Sequence, residues 1–484
     1  MNRQIRRLGI ALLVAFGALF LQLNYVQVVE AHKLANAPGN TRTATESFSR
    51  PRGVIQTSDG VVVARSVPSN DSYKYQRQYP TGPLFAHVTG YVSFIYGEEG
   101  VEQVYDPYLA GKKLPIRHLS DLLTNRVATD DVTLTLNDKL QQAAQGALGN
   151  KLGSVIALNP TDGAILAMWS NPSYDPNPLA SHDLTVVHSA WTAATSNPLN
   201  PMLPRAYRRS YPPGSTFKVV TSAAVFDHNP SLANKSYPVL GSLTLPFTHN
   251  TLNNFQHETC GGPLPELLKV SCDTGFGQVG LDLGGDSLSS EASSFGFNST
   301  PPLDLPSPAK SKFPPGSFFK QNLPLLAYSA IGQDDVSATT LQMALVGAAI
   351  ANGGTIMKPH VMSEIRDSQG NVVSRYKPAV WMQATSSQTA DQVRSMMMLV
   401  VQPGGTAPDL NLPGVQVAAK TGTAQTGLGT TDDWMIAFAP AQSPKVVVAV
   451  SVPNQPQSAT GDAVSGPIVR SMLLASLLMP GPLP

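Results

Sequence analysis

Apolar and polar positions along the chain change character from one end to the other. From Leu8 to about Val29 the run is apolar except for Gln22, Asn24 and Gln27, long enough to cross the hydrocarbon core of a bilayer. Arg3, Arg6 and Arg7 precede it. Positive charge stays on the cytoplasmic side, so everything after Glu30 is expected outside the cytoplasmic membrane. A cleaved leader is the competing reading. The run exceeds a leader's apolar core and offers no clean small-x-small site apart from Ala35 and Ala37, which favours an uncleaved single-pass anchor.

Residues 31–50 are polar and aperiodic and read as a juxtamembrane linker. From Arg52 to Leu136 short apolar runs alternate with turn signals such as Ser58-Asp-Gly60 and Pro80-Thr-Gly82, predicting a β-rich region with short helices. Asp131 to Leu136 alternates as a strand, and Asn137 is placed to cap a helix over Asp138–Leu148. Ser154–Leu158 and Ala164–Trp169 flank the turn Asn159-Pro-Thr-Asp-Gly163 and predict a hairpin. Farther on, Ser337 to Ala351 predicts a long apolar helix ended by Asn352-Gly-Gly354, and Lys445 to Val452 a buried strand. Strands at both ends with helices between them predict an α/β domain. The expected division is a tip and transmembrane anchor over 1–30, a pedestal over 31–148 and a catalytic domain over 149–484, without internal repeats.

Composition narrows the chemistry. Lys and Arg number 33 against 32 for Asp and Glu, so no basic footprint points to nucleic acid. A charged fraction of 13% with 41 Pro and 39 Gly suits a loop-rich extracytoplasmic enzyme. The two cysteines, Cys260 and Cys272, lack metal-ligand spacing, so no metal or cofactor is expected. They either form one disulfide or lie buried and free.

Tyr211-Pro-Pro-Gly-Ser-Thr-Phe-Lys218 precedes the apolar run Val219–Val225. A serine hydroxyl is a poor nucleophile at neutral pH and needs a base within reach; on a helix Lys218 stands one turn above Ser215, and burial lowers its pKa. Gly214 permits the tight approach to the serine. Pro314-Pro-Gly-Ser-Phe-Phe-Lys320 copies this pattern almost letter for letter, but Pro324 breaks the helix that the first copy continues. Ser271-Cys-Asp273 follows Ser215, and its serine, facing Lys218, can return a proton to a leaving amine. Lys420-Thr-Gly-Thr423 comes last. Lys420, Thr421 and Thr423 offer charge and hydrogen bonds to a substrate carboxylate, Gly422 allows close approach, and the N–H groups of Ser215 and Thr423 form an oxyanion hole. Each triplet alone is common; the ordered trio at these spacings is specific.

With these motifs the chain resembles the class B penicillin-binding proteins over almost its whole length. Arg52-Gly-Val-Ile55, Asp59-Gly60 and Gly100-Val-Glu-Gln-Val-Tyr-Asp106 look like their pedestal motifs. Tyr75-Gln-Arg-Gln-Tyr-Pro80 and Phe85-Ala-His-Val-Thr-Gly-Tyr91 are similar to the short actinobacterial members, and Ile331-Gly-Gln333 and Trp434 match the transpeptidase domain. The resemblance implies a mixed sheet sandwiched by helices beside an all-helical lobe. It implies acylation by a D-Ala-D-Ala stem peptide, release of D-Ala, attack by the amine of a neighbouring stem, and inhibition by β-lactams, in cell division or elongation. Asp273 departs from the Asn of many members. A carboxylate only accepts hydrogen bonds, and its pairing with Lys218 is expected to raise the lysine pKa, the wrong direction for a base.

A serine β-lactamase is disfavoured because Glu291 and Glu364, the glutamates between Ser271 and Lys420, lack a deacylating context. A D,D-carboxypeptidase shares the acyl-enzyme, and a non-catalytic divisome scaffold or penicillin-binding sensor shares the fold. The region before residue 150 is too short for a glycosyltransferase, so the resemblance implies a membrane polymerase partner of the shape, elongation, division and sporulation group. His257 and Glu258 read as polar residues at the site's edge, and Met396–Met398 as core filling.

Overall fold

The computed structural model describes residues 2–30, 48–111 and 129–478; the expected linker lies almost wholly outside them. Two compact units are present, one comprising residues up to 51 with 67–76, the other 52–66 with everything from 77 onward. In the first, Asn2–Asn24 is an α-helix continued as a wider turn over Tyr25–Val29. Its segment Arg3–Val28 is long and apolar enough to cross a membrane.

The second unit opens on a buried charge cluster. Arg52 pairs with Glu98 at 3.1 Å, Glu102 at 3.1 Å and Asp106 at 2.8 Å, and Arg77 reaches Glu102 at 2.6 Å. Glu102 is fully buried and also accepts from the Tyr79 hydroxyl at 3.3 Å. Arg52, Glu102 and Asp106, the charged residues at the two ends of the pedestal motifs, are thus mutual counter-ions.

Beside the cluster, Ile55 and Gln56 pair antiparallel with Ala64 and Val62 and parallel with Val132 and Thr133. The strand Asp131–Leu134 pairs in turn with Met362–Arg366, which pairs with Val372–Arg375. One sheet therefore spans the expected boundary at 148/149. Asp304 fastens the same joint: it accepts from the Tyr105 hydroxyl at 2.7 Å and from the N–H groups of Val361 and Met362 at 2.7 and 3.0 Å.

The catalytic core is a five-stranded sheet in the order 418–425, 430–439, 446–456, 153–158, 165–171. Expected as mixed, it is antiparallel in every pairing, because short hairpins join its neighbours at both ends. The predicted hairpin is in register with Ser154 opposite Ser170. Helices cover both faces. Gly347 of the helix Thr340–Ala351 lies against Val447, and Gly466 of the helix Gly461–Leu477 against Met435. The register sets Val447 opposite Phe438, three residues beyond Met435, so the two helices occupy opposite sides. Thr340–Ala351 starts three residues later than expected. The Thr339 hydroxyl caps it by accepting from Gln342, while Ala338 and Ser337 bridge to Tyr211 and Lys312. Asn137 caps Asp138–Leu148 as anticipated, accepting from Leu140 N at 3.1 Å. The lobe after the nucleophile region, expected to be all-helical, also carries two small antiparallel sheets, Tyr237–Leu240 with Cys260–Gly262 and Ser242–Thr244 with Thr251–Asn253, and Met396 and Met397 are buried in the core.

Glu102→Ala leaves two buried guanidinium groups short of their carboxylate and should cost about 3–5 kcal/mol. Denaturant unfolding measures this; an unchanged midpoint would contradict the view that the cluster holds the pedestal together.

Candidate active site

Ser215 sits in a 3-10 turn, Gly214–Phe217, that runs directly into the helix Lys218–His228. The chain enters clamped at Tyr211, which exchanges backbone hydrogen bonds with Ala338. Gly214 has φ +52, and a Cβ there would lie 3.0 Å from Ala424 N and Thr423 C. That contact needs glycine, and it sets the backbone of Ser215 beside Thr423. Gly422 is constrained in the same way, since its Cβ would stand 2.8 Å from the Pro213 carbonyl. The nucleophile turn and the edge strand 418–425 are therefore packed backbone to backbone.

Ser215 opens on a cleft of about 1170 Å³ with only 9% of its surface exposed, while Lys218 and Lys420 are buried beneath it. Lys218 Nζ donates to Asp273 Oδ1 at 2.6 Å and to the Ser271 carbonyl at 2.7 Å, and lies 3.4 Å from Ser271 Oγ. The Ser215 hydroxyl is directed at the same Asp273 Oδ1, at 3.4 Å. The Ser215 hydroxyl and Lys218 Nζ, expected in direct contact, thus both meet one carboxylate oxygen that stands between them. Ser271 is likewise nearer to Lys420, whose Nζ is 2.8 Å from its hydroxyl and also donates to the Thr421 carbonyl at 2.9 Å. Ser271 holds φ +59, a conformation that costs a β-substituted residue energy and persists here between two lysines.

Burial lowers the Lys218 pKa, and the Asp273 charge opposes it. The pairing expected to raise this pKa is present but outweighed by desolvation. Lys420 is pushed down further, by burial and then by the charge of Lys218, with Asp273 again opposing. Cys260 and Cys272 are joined as a disulfide that ties the cleft wall to the residue after Ser271.

The remaining predicted residues fall as follows. Thr421 and Thr423 line the cleft; the Thr423 hydroxyl accepts from Gly461 N at 2.9 Å. Ser317 and Lys320, the copy, are exposed on the four-residue helix Gly316–Phe319, which ends before Pro324. Glu258 is exposed on the cleft wall; the His257 side chain lies outside the described residues. Sequence reasoning missed Thr406, whose hydroxyl meets that of Thr421 at 2.8 Å, and Asn254, which accepts from Thr274 N and donates to the carbonyls of Leu240 and Glu258. No local motif marks either one. It also gave no role to Gly332 of Ile331-Gly-Gln333, whose Cβ would strike the Gly214 carbonyl at 2.3 Å.

Ser215 and Lys218 meet at one carboxylate oxygen, and Ser271 links Lys218 to Lys420 at the edge of an antiparallel sheet, an arrangement able to carry acyl transfer. The family described as penicillin binding protein transpeptidase domain matches residues 153–474, and that described as penicillin binding protein A dimerisation domain matches 52–131. The chain belongs to the penicillin-binding proteins, and the succession of these two regions places it in their class B. It is 38% identical to peptidoglycan D,D-transpeptidase PbpA of Mycolicibacterium smegmatis over 99% of both chains. It is 36% identical to the PbpA of Mycobacterium tuberculosis over the same shares. The structure of penicillin-binding protein A from M. tuberculosis as a ceftriaxone acyl-enzyme superposes with a TM-score of 0.83, at 36% identity, covering 90% of this chain and all of that one.

Behind the edge strand, Asp433 is fully buried opposite Thr423, and burial pushes its pKa up to about 7. The folded state thus prefers the protonated acid. The stability this confers is complete below the ordinary carboxyl pKa and is lost as pH rises through about 7. Asp433→Asn should therefore gain in melting temperature over wild type from pH 4.5 to 7.5 and level off above; a gap constant with pH would contradict this placement.

Proposed function

We propose that the chain is a membrane-anchored serine D,D-transpeptidase that cross-links peptidoglycan stem peptides, with Ser215 as nucleophile. The observation that carries this reading is the meeting of Ser215, Lys218, Ser271, Asp273 and Lys420 in a single hydrogen-bonded chain at the floor of the cleft. Named D,D-transpeptidase relatives of full length and a β-lactam acyl-enzyme of the same fold support it.

In this reading the penultimate D-Ala carbonyl of a stem peptide lies over Ser215, with its oxygen toward the N–H groups of Ser215 and Thr423. The terminal carboxylate is held by the hydroxyls of Thr421 and Thr423 above Lys420, with Gly422 allowing the backbone to approach. Ser215 Oγ attacks, the C–N bond breaks, and D-Ala leaves with a proton delivered through Ser271. An amine of a second stem then attacks the ester and regenerates Ser215. β-Lactams enter by the same first step and stop there, their leaving nitrogen remaining tethered. Asp273 orders Lys218.

The helix Arg3–Val28 would hold the enzyme in the cytoplasmic membrane with the cleft outside. Residues 52–131 would act as pedestal and as contact surface for a membrane glycosyltransferase of the shape, elongation, division and sporulation family, which would supply the glycan strands.

Intact-mass analysis of the full-length protein in detergent with benzylpenicillin tests the reading. A persistent penicilloyl adduct is expected on wild type and on Ser317→Ala and absent from Ser215→Ala. Wild-type protein that folds and takes no adduct would reject the enzyme reading, and rapid loss of the adduct would point to a hydrolase.

A further inference from the structure

The floor of the cleft buries two amines and offers them one carboxylate. Asp273 is in ion-pair contact with Lys218 at 2.6 Å, and Lys218 also lies 5.4 Å from the centre of the Phe276 ring, a face that favours a cation. Lys420 has neither arrangement described for it; its contacts are the Ser271 hydroxyl and the Thr421 carbonyl and hydroxyl. Among the described residues no second carboxylate is in ion-pair contact with Lys420, although Glu258, Glu266 and Asp462 line the same cleft. Asp433 opposes Thr423 and so faces the other side of the sheet, and Asp432 stands opposite Ala424, where it accepts from Asn454. Arg394 is paired with Asp391 and Lys269 with Glu266, while the charges that act on Lys420 are those of Lys218 and Asp273. A second buried ammonium without its own carboxylate is the costlier state.

We propose that Lys218 is the ammonium partner of Asp273 and that Lys420 is the neutral amine of the site, the final acceptor of the Ser215 proton. This rests on the serine acyl-transfer reading and inverts the roles that the motifs alone suggest. The path follows the measured contacts. As the Ser215 Oγ–C bond forms, the hydroxyl proton passes to Asp273 Oδ1. Lys218 gives one N–H proton to Ser271 Oγ, the Ser271 hydroxyl proton moves to Lys420 Nζ, and Asp273 returns its new proton to Lys218. The net change is one proton from Ser215 to Lys420, with Asp273, Lys218 and Ser271 restored. A positive charge thus appears on Lys420 as the oxyanion appears on substrate. Collapse of the tetrahedral intermediate breaks the C–N bond, and the leaving nitrogen takes the proton back through Ser271.

The burial that lowers the Lys420 pKa acts in the same direction. Arginine separates this role from a purely electrostatic one, since it keeps the charge and cannot lose it. For full-length protein in detergent, the second-order rate of acylation by benzylpenicillin is measured from pH 5.5 to 9. Wild-type acylation itself reports on the acyl-transfer reading. Lys420→Arg should then be slowed at least about 100-fold at pH 8, with the acid limb of the profile abolished. A rate within about threefold of wild type, with the limb retained, would overturn the proposal.

Should Lys420→Arg melt well below wild type, Lys420→Ala with added propylamine decides. Rescue that follows the concentration of free amine as pH is varied supports the neutral-amine role, while rescue that follows total ammonium, or none in a folded variant, rejects it. Asp273→Asn provides a further readout. Because Asp273 favours the charged form of both lysines, the slowed acylation that remains in this variant should show its acid limb at lower pH, whereas a merely structural role would scale the rate and leave the limb in place.

Discussion

A single carboxylate shared by a serine and a buried lysine, with a second buried lysine one serine farther on, is the constraint around which this enzyme is organised. Lys218 and Lys420 are completely buried, and amines of that kind cannot both remain charged without paired acids. Asp273 satisfies one of them and, through the same oxygen, receives the hydroxyl of Ser215. Its position depends on the start of the helix Asp273–Leu283. That start is in turn fixed by the left-handed Ser271, the Lys218 contact to its carbonyl, and the disulfide from Cys272 to the cleft wall.

The rest of the fold supplies the rigidity this arrangement requires. The edge strand with Lys420 is the outermost of five antiparallel strands, and its glycine lets the nucleophile turn pack directly on backbone. Gly214 and Gly332 complete that close packing from the other side, so several residues far apart in sequence are glycine for one shared reason. Helices pack on both faces of the sheet, beside the lobe that carries Asp273. The pedestal is anchored separately, by an ion cluster around Glu102 and by the Asp304 carboxylate at the shared sheet.

Much of this was legible in the chain. The apolar N-terminal helix, the Asn137 cap, the hairpin about Asn159–Gly163 and the different settings of Ser215 and Ser317 all rest on local chemistry, which sequence expresses directly. What sequence could not express is contact. The pedestal sheet borrows residues 362–375, a pairing no periodicity announces. The sheet expected to be mixed is antiparallel because of which hairpins become neighbours. Thr406 and Asn254 reach the cleft from segments without motifs. Asp273 was seen as a departure from pattern, and its charge does act upward on the Lys218 pKa as expected; what the expectation left out was the larger, opposite effect of complete burial.

If the proton path is one unit, its members do not contribute independently. The most direct measurement is a double-mutant cycle on acylation by benzylpenicillin at pH 8, with Asp273→Asn, Lys420→Arg and the two combined, each confirmed as folded by its thermal transition. The account predicts that the double variant reacts within about threefold of the slower single variant, because either change already breaks the path. Losses that multiply would show two separate contributions and contradict a continuous chain from Ser215 to Lys420.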